Sequence, residues 1–116
     1  ICQALEIPYR IVNICSGEMS APAYLKYDLE YWDPVNRQYR ELTSASNTTD
    51  YQARRLNIKY KDKTGTKFVH TLNGTAIALS RTIIAILENQ QQKDGSIKVP
   101  KVLHEYLGKD SLSRRK

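Results

Sequence analysis

Two periodicities run along this chain of 116 residues, and the sharpest change from one to the other falls between Phe68 and Glu88. Up to Thr75 the positions alternate. Phe68, His70 and Leu72 fall on one side and Val69, Thr71, Asn73 and Thr75 on the other, the period-two signature of a strand. From Ala76 onward the period lengthens, and Ile83, Ile84 and Leu87 recur at the spacing of one apolar stripe on a helix. Gly74, Ala76, Ala78 and Ser80 keep the junction free of bulk, so a backbone or a ligand can come close. Arg81 sits in the first turns of that helix, where free N–H groups and the helix dipole favour an anion. Strand, small-residue turn, helix and arginine together suggest a phosphate site.

The remaining pattern predicts the elements around it. Ile1–Ile7 reads as the last turns of a helix with no capping residue and no initiator methionine ahead of it, which predicts that the chain is cut from a longer one. Pro8 ends that helix, and the β-branched run Tyr9–Cys15 predicts a short buried strand turned by Ser16-Gly17-Glu18. In the next strand Leu25, Tyr27, Leu29 and Tyr31 share one face, and Lys26, Asp28, Glu30 and Trp32 the other. Asp33-Pro34-Val35-Asn36 is a turn signal, so Arg37 to Asn47 returns as the second strand of an antiparallel hairpin. Thr49-Asp50-Tyr51-Gln52 has the form of a capping box for a short helix, which must end before the alternation of Leu56, Ile58 and Tyr60. Lys61–Lys67 is a polar hairpin loop. After the long helix an Asp94-Gly95 turn and Val99-Pro100 introduce a last short helix through Leu107, which Gly108 ends. The fold class that follows is α+β, a mainly antiparallel sheet flanked by helices. Residues 1–107 form one domain, and 108–116, basic and almost without apolar residues, form a flexible tail.

Charge and composition narrow the chemistry only slightly. Eighteen Lys and Arg against twelve Asp and Glu leave a net charge of +6, which suits a polyanion such as RNA or ATP and equally suits solubility. Cys2 and Cys15 have no CxxC spacing, so reduced thiols in a cytoplasmic protein are expected rather than a metal site or a disulfide. No apolar run approaches the ~20 residues that span a bilayer, so no membrane partner is expected. Asp28 and Glu30 form a carboxylate pair, but charges on the outward face of a half-buried strand account for them. Asp50 stands four residues before Arg54, where an ion pair on a helix would occupy the arginine. His70 has no Cys or Asp partner in sequence and reads as structural.

Several blocks carry a resemblance to a known family. The strand, small residues and Arg81 resemble motif 3 of the class II aminoacyl-tRNA synthetases, in which an arginine holds the ATP γ-phosphate. Tyr39-Arg40-Glu41-Leu42-Thr43-Ser44-Ala45-Ser46-Asn47, then Thr49-Asp50-Tyr51-Gln52-Ala53-Arg54-Arg55-Leu56, then Phe68-Val69-His70-Thr71-Leu72-Asn73-Gly74 are similar, in order and spacing, to the seryl-tRNA synthetase signature. The resemblance runs from about Leu5 to Leu107. It implies ATP-dependent activation of L-serine to seryl-adenylate and transfer to tRNA(Ser) by a homodimeric full-length enzyme. Arg81 and Glu41 would be catalytic, Glu41, Leu42, Thr43, Ser44 and Arg81 would bind ATP, Glu41 and Ser44 would hold magnesium, and Asn73 and Thr75 would meet serine. Magnesium is physically sensible with oxygen ligands and substrate phosphate. Because Glu41 and Ser44 are three apart on a strand, that site requires a bulge or an early strand end.

In the family the tRNA-gripping arm and the first two motifs precede this region, and none has a counterpart in these residues. An isolated piece is therefore expected to be inactive. Two other readings remain. A non-catalytic nucleic-acid-binding module would need aromatics interleaved with cations, and Tyr24, Tyr27, Tyr31 and Trp32 have Asp28 and Glu30 among them instead. The second is a synthetase-like paralogue that binds serine or adenylate without charging tRNA.

Overall fold

The structure is a computed structural model that describes residues 1–113. In chain order it contains β1 (Tyr9–Asn13), β2 (Leu25–Asp33), β3 (Gln38–Asn47), α1 (Tyr51–Leu56), β4 (Lys59–Asp62), β5 (Gly65–Phe68), β6 (Leu72–Gly74), α2 (Leu79–Gln90), β7 (Ile97–Lys98), α3 (His104–Leu107) and β8 (Ser111–Leu112). One sheet has the strand order β1-β2-β3-β6, and β4-β5 and β7-β8 are separate two-stranded sheets. The described pairings of β3 with β6, β4 with β5 and β7 with β8 are all antiparallel, in keeping with the predicted fold class. No described helix is long and apolar enough to cross a membrane.

The chain divides into two compact units. The first takes Ile1–Arg10, Glu30–Leu42 and the chain from Ile77 onward. Its core gathers Cys2, Leu5, Ile7, Tyr31, Leu42, Ala85 and Val99. Ile1–Ile7 makes one turn, closed by Leu5 N–H to the Ile1 carbonyl, before Pro8 stops it. The tip of the β2–β3 hairpin turns around Asp33, whose carboxylate accepts from the Val35 and Asn36 amides at 3.0 and 2.9 Å. Outside it, Trp32 meets Tyr39 edge to face at 5.2 Å, and Arg10 stacks over Tyr39 while pairing with Glu30.

Helix α2 forms where predicted but turns a different face inward. Ile83, Ile84 and Leu87, expected as the packed stripe, are each 40–48% exposed, while Thr82, Ala85 and Gln90 are buried. Small size decides it at Ala85, where a close approach leaves no accessible surface. Polar satisfaction decides it at the end of the helix, since Gln90 donates its side-chain amide to the Glu6 carbonyl and Asn89 donates to the Trp32 carbonyl. The expected tail is also revised. Ser111 and Leu112 pair with Lys98 and Ile97, and Val99 N–H donates to the Asp110 carbonyl at 2.8 Å, so ladder bonds order a segment with little apolar content. The rest of that expectation, residues 114–116, lies outside the described residues. Before it, α3 ends at Gly108, whose φ of +62° a residue with a Cβ would resist.

The second unit takes Ile11–Leu29 and Thr43–Ala76. Strand β1 is largely exposed, against the buried strand expected, and it ends at Asn13 rather than Cys15. The single strand expected from Phe68 to Thr75 is broken at Val69–Thr71 because the chain changes partner there. Val69 still bonds Ile58, but Thr71 exchanges main-chain bonds with Thr48 and Thr49, and β6 continues along β3. Helix α1 starts as expected without the capping box. Its N-cap position is Asp50, with no side-chain cap bond, and Gln52 accepts from the Thr71 hydroxyl instead of reaching back. Asp28, expected to face solvent, is buried, and Lys26 two residues earlier on the same strand neutralises it at 3.1 Å.

Candidate functional site

Helix α2 begins with Ala78 at its N-cap position and no side-chain cap, so its first amides are not closed by a hydroxyl. Arg81 is its third residue. Its Nη1 donates to the Glu41 carbonyl at 3.2 Å and lies 3.6 Å from the Glu41 carboxylate. Both side chains line a cavity of about 350 Å³ with Tyr31, Arg40 and Ile84. Two guanidinium groups and one carboxylate on one wall suit an anion accompanied by a cation. Sequence reasoning brings Glu41 and Arg81 forward. It misses Arg40, whose only signal is adjacency to Glu41 in Tyr39-Arg40-Glu41, and Tyr31, which has none.

Arg40 is anchored from behind. Asp33, with no exposed surface, accepts Arg40 Nη1 at 3.2 Å as well as the Asn36 side chain and the two turn amides. The Asn36 side chain first, then its amide and the Arg40 guanidinium, lower the Asp33 pKa to about 2 against the opposing effect of burial. Burial first, and then the Glu88 carboxylate, push the Tyr31 phenol above its ordinary value, which keeps it a neutral donor. This wall therefore offers two guanidinium forks, each held by one 3.2 Å hydrogen bond, and a carboxylate.

The second unit has its own cavity, about 210 Å³, lined by Ile11, Tyr27, Leu29, Thr43, Ser44, Ala45 and Thr75. Consecutive residues of β3 share this wall, so its backbone is part of the lining. Gly74 brings the next strand in tightly, since a Cβ there would meet the Ser44 carbonyl at 3.3 Å. Thr75 N–H donates to that carbonyl at 3.2 Å. Thr75 lies four residues before α2, whose N-cap position is Ala78, so it takes no part in the helix start. Thr75 itself lines this cavity, with Thr43 and Ser44 as well as the apolar Ile11 and Leu29. Asn73, expected beside it, is exposed, pairs with Ser46 across the ladder and is absent from the cavity wall.

The predicted magnesium pair needs a careful account. Strand β3 runs unbroken from Gln38 to Asn47, so the early strand end that Glu41 and Ser44 would have used is absent. Among the described residues no cluster of three or more His, Cys, Asp or Glu could enclose a metal. A half-exposed carboxylate and a hydroxyl fit a hard cation only if it completes its shell with phosphate and water. Leu42 is buried, so its side chain is unavailable and only its backbone can serve a ligand. His70 is exposed beside Asp50 and Arg54 in a separate depression.

Residues 1–90 match the family described as tRNA synthetase class II core domain (G, H, P, S and T). The chain is 58% identical to the serine–tRNA ligase of Dictyoglomus thermophilum, over 100% of this chain and 28% of that protein. It is 59% identical to the serine–tRNA ligase of Pyrococcus abyssi, over 91% of this chain and 24% of that one. Among solved structures, seryl-tRNA synthetase from Pyrococcus horikoshii complexed with ATP aligns with a TM-score of 0.94 and 53% identity, covering 98% of this chain and 26% of that one. A cytoplasmic serine–tRNA ligase from Naegleria fowleri in complex with AMP aligns with a TM-score of 0.88 and 46% identity, covering 98% and 27%. The chain thus spans about a quarter of the length of the relatives it matches.

Proposed function

This chain belongs to the class II tRNA synthetase core-domain family, and from that premise we propose that it is the motif 3 segment of a seryl-tRNA synthetase. The observation that carries the reading is Arg81 at the start of α2, on one cavity wall with Glu41 and Arg40. In the proposed reaction the serine carboxylate attacks the α-phosphate of ATP, pyrophosphate leaves, and the seryl group then passes to the terminal adenosine of tRNA(Ser). This segment's part is charge stabilisation and positioning. Arg81 neutralises the γ-phosphate as charge moves onto the leaving pyrophosphate. Glu41 and Ser44 would hold magnesium, which would supply charge neutralisation at the phosphates, and on the unbroken β3 that pairing would need a local bulge. Leu42 and Thr43 present backbone to the nucleotide.

Serine is met by Thr75, which lines the smaller cavity, and by Asn73, exposed on β6 two residues earlier and outside that wall. A hydroxyl that must be satisfied rejects analogues without one. The P. horikoshii and N. fowleri structures, in complex with ATP and AMP, support the nucleotide part of this reading. The homodimer, tRNA(Ser) and a cytoplasmic location follow from the same assignment. The test replaces the matching segment of a full-length relative with this chain and measures serine-dependent ATP–pyrophosphate exchange. Exchange with serine well above that with glycine or threonine is expected. A folded chimera without serine-dependent exchange overturns the proposal.

A further inference from the structure

Apart from the basic C-terminal stretch, one segment of this chain carries a marked excess of positive charge. Between Arg54 and His70 stand Arg54, Arg55, Lys59, Lys61, Lys63 and Lys67 against Asp62 alone, a net +5 out of the +6 of the whole chain. Most of that charge rides on the β4–β5 ribbon, in which every residue of β4 is exposed. The ladder register puts Lys59 and Lys61 on one face, opposite Phe68 and Thr66, and sets Lys67 opposite Tyr60 on the other, with Lys63 in the turn. The ribbon is therefore basic on both faces and at its tip.

Its one acid is already engaged. Asp62 accepts the Thr64 amide and hydroxyl at 2.7 Å and the Lys67 ammonium at 3.0 Å. Lys59, Lys61 and Lys63 have no carboxylate partner among the described residues. Lys59 lies over the Phe68 ring, 4.9 Å from its centre, as does Arg54 at 5.1 Å while paired with Asp50, and Tyr60 stands half-exposed beside Lys67. Cations alternating with aromatic faces on an exposed strand pair suit a phosphate backbone with bases available for stacking.

We infer that the β4–β5 ribbon is an RNA-contacting surface, with Lys59, Lys61 and Lys63 on phosphates. The inference rests on the proposed function in one respect: the only polyanionic macromolecule in that reaction is the tRNA. Nothing in amino-acid activation calls for this charge, and none of these lysines lines the cavities of Arg81 or Thr75.

The test is Lys59→Gln/Lys61→Gln/Lys63→Gln in the full-length chimera, beside a control of equal charge, Lys93→Gln/Lys101→Gln/Lys109→Gln. Three lost phosphate contacts should raise KM for tRNA at least about five-fold at 0.15 M salt and flatten the log–log salt slope by about 2. Serine-dependent exchange, which needs no tRNA, should stay within about two-fold, and the control should leave KM for tRNA nearly unchanged, as contact loss rather than net charge sets the slope. A second measurement titrates a labelled tRNA transcript against this chain and its ribbon variant, and the same change of slope is expected there. If the chimera shows no exchange, the proposed function fails while this binding arm still decides the ribbon's role. An unchanged KM and slope, equal shifts from both triples, or a parallel loss of exchange each overturn the inference.

Discussion

Replacing Arg81 with alanine in the full-length chimera separates the chemistry of this segment from its folding. In the structure Arg81 makes two interactions, an ion pair with Glu41 at 3.6 Å and a hydrogen bond to the Glu41 carbonyl at 3.2 Å. Both partners are half in water, with side chains 55% and 45% exposed, so solvent screens the pair strongly. Such a pair contributes about 0–1 kcal/mol, and the hydrogen bond adds about 1 kcal/mol, part of which alanine recovers through helix propensity. The loss of stability should stay below about 2 kcal/mol, a Tm shift of less than about 4 °C in a protein of this size. The loss of activity should be far larger. Removing one preorganised donor from developing charge typically costs about 100- to 1000-fold, or 2.7–4 kcal/mol of barrier. Pyrophosphate exchange at saturating serine and thermal unfolding, measured on the same preparations, give both numbers. Arg81→Lys should fall between, since it keeps the charge without the fork. Exchange within about three-fold of wild type with unchanged melting would refute the phosphate role, for a charge at the γ-phosphate is worth more than that.

Three further outcomes are expected. Glu41→Gln keeps size but removes the charge a hard cation needs, so the magnesium titration of exchange should move to higher concentration, and an unmoved titration would remove Glu41 from the metal. Thr75→Val keeps shape and removes the hydroxyl; kcat/KM for serine should fall about ten- to a hundred-fold while alanine activation changes little, and equal losses would show that Thr75 acts through the fold. Asp33 has a folded pKa of about 2, below the ordinary ~3.9 of an unfolded aspartate. Its stabilisation is therefore fully present above pH ~4 and disappears as pH falls toward 2. Urea melts of the chain and of Asp33→Asn should differ at pH 7 and converge near pH 2, and a constant gap would contradict the ionic anchor.

Much of this architecture is legible along the chain because it is local. Pro8 ends a turn, Asp33 to Asn36 closes a hairpin, Asp50 pairs with Arg54 at 2.6 Å four residues on, Gly108 caps a helix, and small residues lead into α2 with Arg81 at its start. Each depends on backbone preferences or on side chains within a turn of one another, which spacing alone specifies. The family blocks assign Glu41 and Arg81, forty residues apart, to one ATP site, which periodicity could not supply.

What only the tertiary structure decided is which of the possible partners each residue received. Periodicity groups Ile83, Ile84 and Leu87 on one face of α2, but Ala85 and Gln90 became the buried ones because a small side chain allowed close approach and an amide found the Glu6 carbonyl. Alternation puts Asp28 on an outward face, and Lys26 made its burial tolerable. The strand toward Thr75 reads as continuous, yet it breaks where Thr71 leaves one neighbour for another, and beyond the break Thr75 bonds the Ser44 carbonyl and lines a cavity. Arg40 is held by Asp33, a contact formed across a hairpin, and shares a cavity wall with Arg81. Sequence spacing determines which side chains share a face. Burial and hydrogen-bond satisfaction among distant segments determine what that face meets, since each buried polar group must find a partner that only the assembled fold provides.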